Sequence, residues 1–409
     1  MTIGVVHPYP VHRTAVGGTT RVYELVKYLA PRHDVSVFTH TDGPAKAGDD
    51  DELRQWGVRQ ISIPRPKAPV SRRLRWLGGL APYAVRYNEN PALSSALAAA
   101  DRRRPFDVLH VELGHMTPYF DAVGPHALRV LAEQECAALA TARLRQLPWR
   151  ERSWYNRMEL WRLGRTQSFD SQALPRVDLI YGITPAEAAY LTEVAGRPVG
   201  VLPHIVPCDR FQPAQTAQTE LVGRRVLFVG NFAHRPNVDA LHWFASAVWP
   251  LVRMRVPEAD GQVVGYGLNG ALEQVAKTAG LRAMGYVPEL AAAYRHAAVV
   301  VNPVRLGGGM RGKVLEAMAS GAAVVSTSTG LEGIDANPGS DCTVADTSTA
   351  FADGVVSYLQ DAERRRCHGA RARDTVLAKY DPGVVFSRLE ADYTARRADA
   401  AARWNVRRP

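Results

Sequence analysis

The chain has 409 residues, 46% of them apolar and 22% charged, with a formal net charge of +10. Such length and composition fit about two globular domains and exclude a disordered or low-complexity polypeptide. No apolar run approaches the roughly 20 residues needed to span a bilayer, and the opening MTIGVVHPYP is interrupted at His7 and Pro8, which reads as a first strand and not as a signal peptide. Cys136, Cys208, Cys342 and Cys367 lack any C-x-x-C spacing. Neither a zinc site nor a disulfide framework is therefore expected, and a cytoplasmic location is. The positive balance suits a phosphorylated substrate or an anionic membrane face, or reflects only an arginine-rich composition. With no zinc-finger or RNP pattern, nucleic acid is not an expected partner.

Residues 3–7 form a short apolar run, followed by Pro8, Pro10 and the pair Gly17-Gly18. Thr19 or Thr20 then caps a helix whose Val22, Leu25, Val26 and Leu29 make an i, i+3, i+4, i+7 stripe. Residues 34–40 read as a second strand, which makes a βαβ unit with glycines at its turn. Residues 58–63 are a third strand. The stretch 67–88 carries Arg72, Arg73, Arg75 and Trp76 among leucines. That mixture suits peripheral contact with an anionic membrane, or is the solvated basic face of an ordinary helix.

Residues 106–112 (FDVLHVE) read as a strand, with His110, Glu112 and His115 at or beyond its end. Residues 128–133, 177–183 and 199–202 are further strands, and 149–169 is a long charged helix. Thr184, Pro185 and Glu187 spell a capping box at a helix start. Residues 204–224, with Pro207, Pro213 and a Gln/Thr/Ala run, read as a linker.

The second half begins with a strand at 225–231 and the loop FAHRPN, which places Asn231 and Arg235 between a strand end and a helix. Arg235 there suits a phosphate, or merely steadies its loop. Residues 262–266 are a strand, and Met284, Gly285, Tyr286 and Val287 precede a short helix. The chain then reaches VVVNPVRLGGGMRGKVLEAMASGAAVV at 299–325, which reads as strand, glycine loop, helix and strand. Gly307, Gly308 and Gly309 let backbone N–H groups approach a ligand, and the helix behind them favours an anion at its N-terminus. Met310 lies on one face of that helix, Arg311 and Lys313 add positive charge, and Glu316 follows Lys313 by three residues. Basic groups with glycine N–H donors suit a phosphate, and a carboxylate one turn on suits sugar hydroxyls. The plainer alternative is a tight turn followed by a solvated ion pair. Gly307, Gly309 and Gly312 also match G-x-G-x-x-G, but Glu332 falls beyond the following strand and the unit comes late in its domain, which argues against a dinucleotide site. After Ser348 the pattern is helical.

Lys313, Glu316, Ala317, Met318, Ala319 and Gly321 spell K-x-x-E-A-M-A-x-G, and with the segment G-N-x-x-x-R-P-N-V-D-A around Arg235 they resemble GT-B glycosyltransferases of retaining family 4. The resemblance is closest to a subgroup with glycine-rich versions of the 307–309 loop. It implies an α/β GT-B fold, with two Rossmann-like doubly wound domains facing across a cleft. The implied divisions are 1–205 for the acceptor, 206–380 for the donor, and a tail at 381–409 that crosses back to the first domain. It also implies transfer of a sugar from a nucleotide diphosphate sugar to a hydroxyl acceptor, with retention and without a metal or other cofactor. Under that resemblance Gly17, Gly18, Asn231, Gly308, Gly309, Met310 and Arg311 approach the donor, Tyr286 and Val287 cover its base, and Glu316 holds the ribose. His115, Arg235 and Lys313 are the implied catalytic group, and Glu112 is a candidate for positioning the acceptor. The family's E-x7-E pair is incomplete, because Gly308 stands where the first Glu belongs. That departure keeps open a non-catalytic nucleotide-sugar-binding protein. A sugar-nucleotide epimerase is a further alternative, without an evident acidic pair.

Overall fold

The computed structural model describes residues 1–13, 18–43, 51–66, 82–134, 136, 139, 154–213 and 224–406. The chain divides into two compact units, Met1–His204 with Val385–Pro409, and Ile205–Val384. The long last helix, Pro382–Val406, therefore belongs for most of its length with the first unit.

The first unit holds seven parallel strands: β1 (Thr2–His7), β2 (Asp34–Thr41), β3 (Arg59–Pro64), β4 (Val108–Glu112), β5 (Leu128–Ala132), β6 (Leu179–Gly182) and β7 (Gly200–Val201). Their order is β3-β2-β1-β4-β5-β6-β7. Parallel strands covered by helices on both faces need apolar residues at nearly every position, and β1 and β4 are buried throughout. Leu93, Leu97, Phe106, Leu109, Val111 and Phe120 belong to one core cluster. Thr184 caps the helix Pro185–Ala195 by accepting from Glu187 N–H. Glu187 does not complete the reciprocal box; its carboxylate accepts from the N–H groups of Ile183 and Cys136 at 3.1 and 3.2 Å.

The second unit holds β8 (Arg225–Val229), β9 (Asp260–Val264), β10 (Arg282–Gly285), β11 (Val299–Asn302), β12 (Ala323–Ser326) and β13 (Thr343–Val344). The order is β10-β9-β8-β11-β12-β13, with every pairing parallel. Alternate residues serve opposite faces, as the pleat requires. Val226, Phe228, Val263, Val299, Val301 and Val325 join one core with Phe244, Trp249 and Phe351. Leu227, Val229, Val264, Val300 and Val324 join the other with Leu315, Met318 and Val376.

In each sheet the chain starts centrally, winds one way and then crosses to the other side of its first strand. The reversal lies between β1 and β4 in the first unit and between β8 and β11 in the second. Ligands of open α/β sheets bind beyond the carboxyl ends of the strands at such a point. Among the described residues no helix is long and apolar enough to cross a membrane.

Candidate functional site

At the switch point of the second unit, the loop after β8 meets the loop after β11. The glycine loop takes left-handed backbone at Gly307 (φ 89°) and Gly309 (φ 79°), which folds it around Arg311. Arg311 donates to the carbonyls of Leu306 (3.2 Å), Gly309 (3.2 Å) and Gly308. Its guanidinium thus shapes the loop as well as charging it. The helix Gly312–Ala319 follows directly, and among the described residues no side chain caps its N-terminus. Its first N–H groups are the kind of donors an anion accepts from. Earlier in the same loop, Arg305 makes a bidentate pair with Asp239 of the helix Arg235–Trp243, with contacts of 2.9–3.2 Å, and Pro236 of that helix packs near Gly307.

Lys313 is half-buried and donates to Asn237 Oδ1 at 2.7 Å, with its ammonium 5.3 Å from the centre of the Phe228 ring. Burial and, next, the Arg311 charge push its pKa down to about 7 from 10.5, against the opposing pull of Glu316. An ammonium so destabilised gains most when a phosphate arrives. Glu316 lies one turn further on and accepts from the Tyr294 hydroxyl at 2.9 Å. Burial holds its carboxyl above the usual range, opposed by Tyr294, Arg210 and Lys313. Tyr294 also donates to the Lys313 carbonyl at 3.2 Å, which ties the two site residues to one buried ring.

Asn231 and Arg235 are exposed on the loop after β8 and at the start of the helix Arg235–Trp243. The Asn231 side chain accepts from Ala233 N–H at 3.1 Å, and its carbonyl accepts from Asn237 at 2.8 Å. Two further glycines let the neighbouring loops close up. A Cβ on Gly265 would lie 1.6 Å from Gly230 O, and one on Gly267 would lie 2.8 Å from Ala233 N. Tyr286 is 66% exposed beyond β10, while Val287 packs on the core beneath. Met310 is half-buried against that same core. Asn231, Arg235, Gly308, Gly309, Met310, Arg311, Lys313 and Glu316 therefore share one edge of the second sheet. Asn237, which orients Lys313, escaped the sequence reading; the R-P-N triplet was its only signal.

The first unit distributes the remaining candidates differently. His115 is half-buried just past β4, after Leu113 turns the chain with a left-handed backbone (φ 76°). Burial, His7 and Arg65 push its pKa down to about 4, so it is neutral near pH 7. Glu112 is fully buried. One oxygen meets His110 Nε2 at 3.0 Å and Arg21 Nε at 3.6 Å, and the other accepts from Gln134 at 2.8 Å. Burial opposes its ionisation, but Arg21 and His110 overcome that and hold its pKa down to about 2. His110 in turn meets the Tyr393 hydroxyl of the last helix at 2.6 Å. Glu112 thus sits inside a closed network and presents no surface to an acceptor. Gly18 belongs to the same network: its carbonyl accepts from Gln134 at 3.3 Å, and a Cβ there would lie 1.6 Å from Gln134 Oε1. Gly17 and the basic stretch with Arg72, Arg73, Arg75 and Trp76 lie outside the described residues.

Two switch points, with a glycine loop leading into a helix at the second, define a class of two-unit Rossmann-like α/β protein. The comparisons then specify the family. Residues 223–361 match the family described as "Glycosyl transferases group 1", and residues 16–209 match "Glycosyl transferase 4-like domain". The chain belongs to this GT-B glycosyltransferase family. Among curated proteins it is 29% identical over 196 residues to "Uncharacterized 44.6 kDa protein in cps region" of Klebsiella pneumoniae, a match covering 46% of this chain and 50% of that protein. The matched part therefore spans about half the length of that relative. Sucrose-phosphate synthase from Thermosynechococcus elongatus superposes with a TM-score of 0.71 at 16% identity, covering 97% of this chain and 99% of that one. Anabaena HepE in complex with UDP superposes at 0.64 and 13% identity, covering 97% and 100%. These likenesses concern the fold.

Proposed function

We propose that the chain transfers a sugar from a nucleotide diphosphate sugar to a hydroxyl acceptor, with retention at the anomeric carbon and without a metal. The observation that carries this reading is the cluster at the second switch point. Lys313, Arg311 and the uncapped helix Gly312–Ala319 lie beside the glycine loop, with Arg235 exposed at the start of the facing helix and Glu316 held by Tyr294 one turn on. Fixed positive groups and N–H donors stabilise a departing diphosphate where charge develops, which is electrostatic catalysis. Glu316 holds the ribose hydroxyls, and neutral His115 contacts the donor sugar. The leaving phosphate itself assists deprotonation of the acceptor. Uridine is the base of first choice, because HepE in complex with UDP shares the fold.

We place the protein in the cytoplasm, in keeping with four free cysteines. Peripheral docking to anionic membranes through Arg72, Arg73, Arg75 and Trp76 belongs to the same proposal. Replacing those arginines with Glu is expected to lower retention on anionic liposomes, and unchanged retention would remove the docking step. Gly308, standing where the family's first Glu belongs, favours a second reading as a non-catalytic nucleotide-sugar binder. An assay of nucleotide release from UDP-sugars separates the two. Turnover that falls at least about tenfold in Glu316→Ala supports transfer; turnover unchanged in that variant refutes the site.

A further inference from the structure

With Glu112 sealed inside the first unit, an acceptor needs other groups at the carboxyl edge of that sheet. The loop after β1 presents Tyr9, which is 50% exposed. Its backbone is fixed by His7, whose Nδ1 lies 2.9 Å from Tyr9 O and 3.3 Å from Tyr9 N. Arg65 follows β3, and its side chain is 6% exposed. It pairs with Asp42 at 2.7 Å and donates to Pro8 O at 3.0 Å and Asn88 Oδ1 at 2.5 Å. Its guanidinium lies over the Tyr87 ring at 4.4 Å and over the Tyr9 ring at 6.0 Å. Tyr83 stacks on Tyr87, with ring centres 5.8 Å apart and planes 18° apart, and is 36% exposed.

A buried arginine anchored by a carboxylate, an amide and a carbonyl does not move readily, so the rings it touches are held in place. The result is a fixed, partly exposed tyrosine platform on the edge that also carries His115. Aromatic faces flanked by hydrogen-bonding groups complement a pyranose, which has an apolar C–H face and a rim of hydroxyls. A lipid chain would cover the Asp42 carboxylate, whose side chain is 56% exposed, and could offer it no hydrogen bond. We infer that Tyr9 and Tyr83, held in place by Arg65 and the Tyr87 ring, form an acceptor subsite for a saccharide. This rests on the transferase reading above and narrows its acceptor class from any hydroxyl compound to a glycan.

The test is retention of the full chain on an array of bacterial oligosaccharides, beside vesicles containing a polyprenyl phosphate. The wild type is compared with Tyr9→Ala and Tyr9→Trp. Melting curves confirm that both variants fold, and a UDP thermal shift on the wild type tests the transferase reading separately. The expected result is that the wild type is retained on at least one saccharide, that Tyr9→Ala weakens this about tenfold, equivalent to about 1.4 kcal/mol, and that Tyr9→Trp restores it. Three results would overturn the subsite. One is no retention on any saccharide by a wild type that shows the UDP shift. Another is equal retention by Tyr9→Ala. The third is retention on the vesicles alone.

Discussion

Glu112 shows how little a side chain's identity says about its duty until its neighbours are known. As the last residue of a strand at a switch point, it stands where an acceptor contact belongs. Arg21, His110 and Gln134 enclose it from sequence distances of up to 91 residues in one direction and 22 in the other. Removing one member of a buried charge cluster leaves the others uncompensated, at a cost of about 3–5 kcal/mol. Glu112→Ala is therefore expected to lower the denaturation midpoint of the chain sharply. Near-native stability with a raised acceptor KM would instead return Glu112 to the acceptor. Lys313 makes the opposite case, a residue whose chemistry is readable locally. Its pKa is lowered to about 7, so the ammonium is largely lost from the free protein above that pH. Phosphate binding favours the protonated form, and UDP affinity is expected to fall as pH rises from about 7 towards 9. Calorimetry across that range checks this; an affinity independent of pH would contradict it.

At the scale of elements, the alternation of strands and helices was legible because parallel strands buried on both faces leave unbroken apolar runs. The runs at 3–7 and 34–40 differ from β1 and β2 by one residue at an end. The two-residue strand β13 was not legible: Thr343 and Val344 pair only with the end of β12, and nothing nearby marks a strand. The glycine loop was readable from its spacing, but the packing of its neighbours was not. Gly265 is an example, since its value lies in a contact with Gly230, 35 positions earlier in the chain. Its φ of 151° and the 1.6 Å approach leave no room for a Cβ. Gly265→Ala is expected to cost more than about 2 kcal/mol, measurable by urea denaturation. A loss below about 0.5 kcal/mol would mean that the two loops separate without penalty.

For the whole molecule, burial of neutral histidines sets the response to acid. His40, His115 and His204 all have pKa values pushed down to about 4 by burial, with neighbouring cations adding to the effect. In the unfolded chain they return to their ordinary value near 6.5. Between those limits the unfolded state binds more protons, so stability is present above about pH 6.5 and is lost as pH falls towards 4. Glu112, held down to about 2, acts in the same direction at lower pH. Near pH 5 these three histidines are expected to contribute a slope of unfolding free energy equivalent to uptake of roughly three protons; His7, also lowered by burial, adds to it, and Asp170, raised to about 7 by burial, opposes it. A flat profile between pH 6.5 and 5 would show that these rings are hydrated in the native state.

The central claim is that the second switch point binds a nucleoside diphosphate through Lys313. A thermal-shift panel of UDP, GDP, ADP and dTDP against the wild type and Lys313→Ala tests it most directly. At a nucleotide concentration 100 times its Kd, binding adds about 2.7 kcal/mol of stability. The expected result is a rise in melting temperature with UDP that is absent from Lys313→Ala. A wild type unmoved by all four nucleotides, or an equal shift in the variant, would contradict the account.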